Sequence, residues 1–351
     1  MKKMSFSDKL DSFFADYIFE YKNKPTKNKT YIFADYVELL ALFSRDMSVG
    51  PSYFLDRLEE KFPLDKRFLR DEGLDDAEEL ETISEEENQE NKDEERSEIN
   101  DQKQVFAESI FRFLNDRKTV FNFDYPFIVD RDSIQLKDNL NERQKTYVIL
   151  LICSSLDIFR KFTHTLTSEF EIISYYVLKN YLPEHSVVKS FGKNTDYDEE
   201  YASQKIRSLA KDLKVDINEE AISQISPTNQ QEKGLDLIGW IPFEDKVPNL
   251  LCILGQCACE KEFNKKLAEA PRYRRYLNFH VLEPISSLFV PYSLIQSHHS
   301  NCYIRNDEFS IDTLVFERKR ILNFLKNMDF VNRLNSMKIV EKCLNHSESL
   351  T

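Results

Sequence analysis

Glycine is scarce in this chain, six in 351 residues, and tryptophan occurs once. Long apolar runs are missing as well: no stretch of about 18 apolar residues exists, which argues against a membrane-spanning helix. The start, MKKMSFSDKLDSFFADY, carries lysines but no apolar core and no small-residue cleavage site, so no secretory signal is expected. The sequence has no Walker A motif, no G-x-G-x-x-G and no H-E-x-x-H, leaving nucleotide hydrolysis, dinucleotide chemistry and zinc proteolysis without support. Six cysteines lie scattered rather than regularly spaced, a pattern that fits reduced thiols in a cytoplasm better than a disulfide framework.

Negative charge is abundant, but in one place. Sixteen Asp and Glu residues against Lys92 and Arg96 give the stretch from Asp71 to Asp101 a charge of −14, out of −13 for the whole chain. Everything else therefore sums to +1, and the acidic total does not exclude a nucleic-acid substrate. This stretch has too few apolar residues to offset its ordering entropy, so residues 76–104 read as a disordered acidic insert or a solvated helix.

On either side of the insert the pattern is helical. Ser5 or Ser7 can cap a helix carrying Leu10, Phe13, Phe14 and Ile18, and Tyr31 to Phe43 reads as a more buried one. A third helix spans Ser52 to Phe62. VFAESIFRFLNDR and the very apolar NERQKTYVILLICSSLDIFRKF extend the series, giving an all-helical N-terminal domain over 1–75 plus 105–162. From residue 163 to 351 the chain alternates. A helix ends at Pro183, followed by the β-branched run HSVVKSFG, the helix YASQKIRSLAKDL, two strands and a helix from about Glu260 to Ala270. Apolar runs and a C-terminal helix from about Ile321 to Leu344 follow. This order predicts an α/β domain.

Four of the six glycines (Gly192, Gly234, Gly239, Gly255) and Trp240 fall between 192 and 255. Such clustering in a glycine-poor chain suggests close backbone approach or unusual dihedrals. Within GLDLIGWIPFEDKVPNLLCILGQCACE, Asp236 opens one strand and Gln256 lies near the end of the next. Strand alternation puts Gln256 and Ala258 on one face, Cys257 and Cys259 on the other. Asp236, Gln256 and the Cys257 backbone carbonyl are hard oxygen donors suited to Mg2+ or Mn2+ with phosphate oxygens added.

The order of a helix containing Phe170-Glu171, then Gly234-x-Asp236, then a strand ending in Gln256-Cys257 resembles the PD-(D/E)XK restriction-endonuclease-like superfamily, in its Mrr-like variant with glutamine for the second acid. The resemblance covers roughly residues 166–270. It implies a mixed central sheet flanked by helices and a Mg2+-dependent endonuclease acting on DNA in restriction or anti-phage defence. Asp236 and Gln256 would hold the metal, with Glu171 supporting it or its water. The family's lysine, two residues after the glutamine, is Ala258 here. Lys265 and Lys266 are the nearest substitutes, and Phe263-x-x-Lys266 matches an aromatic-x-x-Lys pattern seen in similar sequences. Without a reaching lysine, the domain would bind nucleic acid or a partner without cutting. The missing ATPase motif implies a separate ATPase, helicase or sensor protein if translocation or sensing is needed. No membrane partner is expected, and a homodimer stays open.

Arg272, Arg274 and Arg275, interleaved with Tyr273 and Tyr276, follow the candidate helix and suit phosphate contact and base stacking. A solvated basic face is the alternative. Cys257 and Cys259 with His298 and His299 could suggest zinc, but a C-x-C pair within a strand reads better as buried core thiols.

Overall fold

The computed structural model describes residues 4–15, 30–44, 48–60, 62, 64, 89–192, 194–229, 234–245, 247, 250–279, 282–298, 301–304 and 312–345. By contacts the chain divides into two units. One comprises 1–140, 296–301 and 339–351; the other 141–295 and 302–338. The division thus falls at 140/141, and the apolar helix Glu142–Cys153, expected with the N-terminal half, belongs to the second unit.

In the first unit, α1 (Phe6–Ala15) starts at a reciprocal cap. The Asp8 N–H donates to Ser5 Oγ and the Ser5 N–H to Asp8 Oδ2. Helix α2 (Thr30–Phe43) is buried on all sides, from Tyr31 to Phe43. It packs with α3 (Pro51–Glu59) and α4 (Gln89–Phe121), whose stripe Phe106, Ile110, Phe113, Leu114, Arg117 and Phe121 recurs at helical spacing. Phe106 meets Phe33 edge-on at 5.0 Å. Residues 89–104 of the acidic insert are the start of α4, so that part is the helix of the two alternatives; 76–88 lie outside the described residues.

The N-terminal region is not all helical. After α4 the chain forms an antiparallel hairpin of β1 (Phe127–Asp130) and β2 (Ser133–Leu136), extended by a bridge from Val49 to Ile134.

The second unit contains α5 (Glu142–Cys153), α6 (Thr163–Tyr181), β3 (Val187–Ser190), α7 (Ala202–Leu213), β4 (Asp216–Ile217), α8 (Glu219–Ser223), β5 (Leu237–Trp240) and β6 (Cys252–Cys257). There follow β7 (Leu277–Asn278), β8 (Ile285–Phe289), β9 (Ile295–His298), β10 (Asn301–Ile304), β11 (Thr313–Phe316), α9 (Arg318–Phe324) and α10 (Asn335–Asn345), of which β9 after Ile295, Asn301 of β10 and α10 from Ile339 belong to the first unit. Five strands form one mixed sheet in the order β11-β8-β6-β5-β3. The pairs β3–β5 and β5–β6 are antiparallel, while β6–β8 and β8–β11 are parallel. The chain is therefore α/β as expected, with helices against the sheet.

Side chains sort by strand alternation. Ile238, Trp240, Cys252 and Leu254 join the core built with Ile206, Leu209 and Leu213 of α7. On the other face α6 lies against the sheet. A Cβ at Gly239 would stand 2.6 Å from Leu182 Cδ1, so the glycine admits the end of α6 to the strand.

Two expected helices differ. Residues 260–270 give only a 3-10 turn, Phe263–Lys266, before a second at Pro271–Arg275. Proline at the start of the second turn lacks the N–H that a continuing helix would use. The C-terminal helix is two, α9 and α10, split where the Asp329 N–H turns back to Asn327 Oδ1 at 2.8 Å. The buried Glu169 of α6 caps α10, accepting the N–H groups of Asn335 (2.8 Å) and Ser336 (2.7 Å). Among the described residues no helix is long and apolar enough to cross a membrane.

Candidate active site

The site sits where β5 begins and β6 ends. Leu237 pairs with Gly255, and the next residue outward on each strand is Asp236 or Gln256. Asp236 is tied to its surroundings through main chain and side chain together. Its N–H donates to Gly255 O at 3.0 Å, and its carbonyl accepts the N–H groups of Phe191 (2.7 Å) and Gly192 (3.1 Å). Its carboxylate Oδ2 accepts the Cys257 N–H at 2.7 Å. The end of β3, the start of β5 and the end of β6 are thereby joined at one aspartate.

Glu171 arrives from the middle of α6 and is 7% exposed. A Cβ placed on Gly192 would lie 2.8 Å from Asp236 Oδ1 and 3.2 Å from Glu171 Oε2, so both carboxylates border the same glycine. Gln256 is 3% exposed, and its Oε1 has no hydrogen-bond partner among the described residues. Burying an amide oxygen without a donor is costly, and a ligand supplying positive charge is one way to offset it.

Cys257 is brought to the site through its main chain, with its N–H on Asp236. Burial pushes its thiol well above the usual range, and the negative charges of Asp236 and Glu171 add to this. The Ser174 hydroxyl and the Lys266 ammonium pull the other way. Burial likewise raises the Cys259 thiol, helped by Cys153 and Cys257. Both thiols stay protonated near neutrality and are packing atoms rather than nucleophiles. Asp236, Glu171 and Lys266 each act electrostatically on Cys257.

The two candidate lysines separate clearly. Lys266 is partly buried at the end of its 3-10 turn and acts on Cys257. Lys265 is exposed and paired with Glu262.

The basic turn gives a mixed outcome. Arg272 is exposed. Arg274 pairs with Glu283 at 3.1 Å and donates to Pro284 O, while Arg275 donates to Gln224 Oε1 at 2.6 Å. Tyr273 and Tyr276, expected as stacking platforms, are core residues instead, and Tyr273 packs edge-on against Phe191 at 5.8 Å. Their alternation with arginine reflects one buried and one solvated side of the turn.

Among the described residues no group of three or more His, Cys, Asp or Glu side chains is arranged to hold a metal. What the structure brings together here is a pair of carboxylates, Asp236 and Glu171, beside Gly192. His299 of the zinc alternative lies outside the described residues. Sequence reasoning missed Gly192 as a site residue, although its place in the glycine cluster was a signal.

Comparison with known proteins brings no match: no family model fits the chain, and no curated protein or solved structure is significantly similar to it.

Proposed function

We propose that the second unit is a metal-dependent nuclease that hydrolyses DNA phosphodiester bonds on a restriction-endonuclease-like core. The observation that carries this reading is the meeting of Glu171 and Asp236 over Gly192, at the end of the hairpin whose second strand holds Gln256, its buried Oε1 without a hydrogen-bond partner among the described residues. The sheet supports it too: a helix bearing Glu171, an antiparallel β3-β5-β6 meander, and β8 added parallel to β6.

The donors fit a hard divalent cation such as Mg2+ or Mn2+, held by Asp236, Gln256 and Glu171. When bound, the cation would supply Lewis acidity toward the phosphate and lower the pKa of water. The chain's own residues do the rest. Asp236, fixed by its main-chain and side-chain bonds, would hold the cation beside which the scissile phosphate binds. Glu171 orients the attacking water and takes up its proton as the oxygen bonds to phosphorus and the sugar oxygen leaves. Lys266 stabilises the negative charge that builds on the phosphate oxygens. Arg272 offers a phosphate contact on the neighbouring turn. A role in restriction or anti-phage defence, with a separate ATPase or sensor as partner, rests on the family resemblance alone.

Incubating the full-length protein with plasmid, linear duplex, single-stranded DNA and RNA, each with Mg2+, Mn2+ or EDTA, tests the proposal. Cation-dependent cleavage of DNA is expected. No product on any substrate with either cation sinks it and favours a nucleic-acid- or partner-binding module.

Lysine substitution gives a sharper expectation. Lys266→Ala should lower the cleavage rate by about 10²-fold or more, the usual cost of losing one charge aimed at the transition state. Lys265→Ala should leave it unchanged, because that side chain points to solvent and Glu262. Equal rates for Lys266→Ala and wild type would remove Lys266 from the site.

A further inference from the structure

We infer that Gly192 is a positioning residue for the ion site, its missing side chain letting the carboxylates of Asp236 and Glu171 lie against one main-chain position, where a divalent cation could join them. This rests on the nuclease reading and adds to it a residue outside the motif.

The geometry around Gly192 is restrictive. A methyl at this position would stand 2.8 Å from Asp236 Oδ1, 3.3 Å from Asp236 Cα and 3.2 Å from Glu171 Oε2. Real Cβ atoms essentially never approach another heavy atom to 2.8 Å, so something would have to move. Asp236 has little freedom to do so. Turning its carboxylate away breaks the 2.7 Å bond from the Cys257 N–H, and shifting its main chain disturbs the bonds to Phe191, Gly192 and Gly255. Glu171 is buried in the middle of α6. A side chain here would therefore turn Asp236 out of place or push it apart from Glu171.

The chemistry beside the glycine favours one kind of ligand. Two carboxylate oxygens lie against it, which disfavours an anion or an apolar group. Gln256, one step past the Leu237–Gly255 pair just as Asp236 is, adds a buried amide oxygen with no partner among the described residues. Carboxylate oxygens from α6 and from the start of β5, brought together beside one glycine, suit a compact hard cation. Only glycine, with no Cβ, lets both carboxylates approach the main chain this closely.

The test uses the full chain, Mn2+ as probe and calorimetry as readout, with no cleavage assay involved. Wild type is expected to bind one Mn2+, Gly192→Ala to weaken that binding at least tenfold, and Gly50→Ala in the other unit to leave it unchanged. Wild-type binding with an unchanged affinity in Gly192→Ala overturns the role of Gly192 and leaves the nuclease proposal standing. No Mn2+ binding by wild type sinks the ion site, and the inference with it. Should Gly192→Ala fail to fold, the wild type decides. With only six glycines, ¹⁵N-glycine labelling gives a six-signal spectrum. Mn2+ should broaden the Gly192 signal at lower concentration than that of Gly239, which lies at the far end of β5. Equal or later broadening of Gly192 overturns the inference.

Discussion

Asp236→Asn is expected to lower cation-dependent DNA cleavage by about 10²–10³-fold while leaving the unfolding midpoint close to that of wild type. The amide keeps an oxygen for the Cys257 N–H, now 2.7 Å from Asp236 Oδ2, and loses only the negative charge. The main-chain bonds of residue 236 to Phe191, Gly192 and Gly255 do not involve the side chain and persist. Asp236→Ala should cost the same activity and, in addition, about 1–3 kcal/mol of stability, because the Cys257 N–H then loses its acceptor. The pair of variants thus separates the chemical role of the carboxylate from its structural one. Cleavage by Asp236→Asn at the wild-type rate would sink the metal assignment. A normal unfolding midpoint for Asp236→Ala would mean that water replaces the lost acceptor.

Why some of this was legible in the sequence and some was not has a physical explanation. Helices α2 and α6 announce themselves through long apolar periodicity, and β5 and β6 through a glycine-marked strand pair. That helix-borne Glu171 and strand-end Asp236 come together follows the chain order on which the resemblance rests, while any chemical role for them belongs to the proposal. The hairpin β1–β2 was not legible. Its period-2 signal is only Phe127 and Val129, then Ile134 and Leu136, directly behind an aromatic cluster that reads as a loop. The break between α9 and α10 depends on Asn327 turning its own chain and on Glu169, more than 160 residues away, capping the next helix. Gly192 illustrates the same limit at the site. A glycine after a short β-branched run looks like an ordinary strand end, and its meaning appears only when Glu171 and Asp236 arrive beside it from other elements. The tyrosines at 273 and 276 mislead in the opposite direction. A local alternation of charge and ring suggests a binding surface, but the long-range contact with Phe191 makes the rings core.

In the first unit, Arg117→Met is expected to cost about 3–5 kcal/mol, the usual penalty for breaking a buried ion pair and leaving its partner charged. The stripe of α4 that buries Phe106, Ile110 and Phe113 also buries Arg117, fully, over the Phe113 ring at 5.1 Å. Its Nη1 lies 2.8 Å from both Asp35 Oδ1 and Glu38 Oε1, and Nη2 donates to the Tyr31 carbonyl at 2.9 Å. Tyr31, Asp35 and Glu38 recur at helical spacing on α2, so one arginine answers one face of that helix. The Tyr125 hydroxyl donates to Glu38 at 2.8 Å and supports a single carboxylate only. Methionine fills much of the arginine volume, so cavity formation is small and the loss reports charge left without its partner. Neutralising the partners tests this account: Arg117→Met combined with Asp35→Asn and Glu38→Gln should lose less stability than Arg117→Met alone, because amides are cheaper to bury than carboxylates. Urea unfolding followed by circular dichroism measures the difference. The single tryptophan, Trp240, lies in the second unit, so its fluorescence tracks that unit separately. The far-ultraviolet transition of Arg117→Met should move to lower urea by more than the Trp240 transition does. A shift worth less than about 1 kcal/mol would mean that the cluster tolerates an uncompensated carboxylate, with water entering where the guanidinium stood.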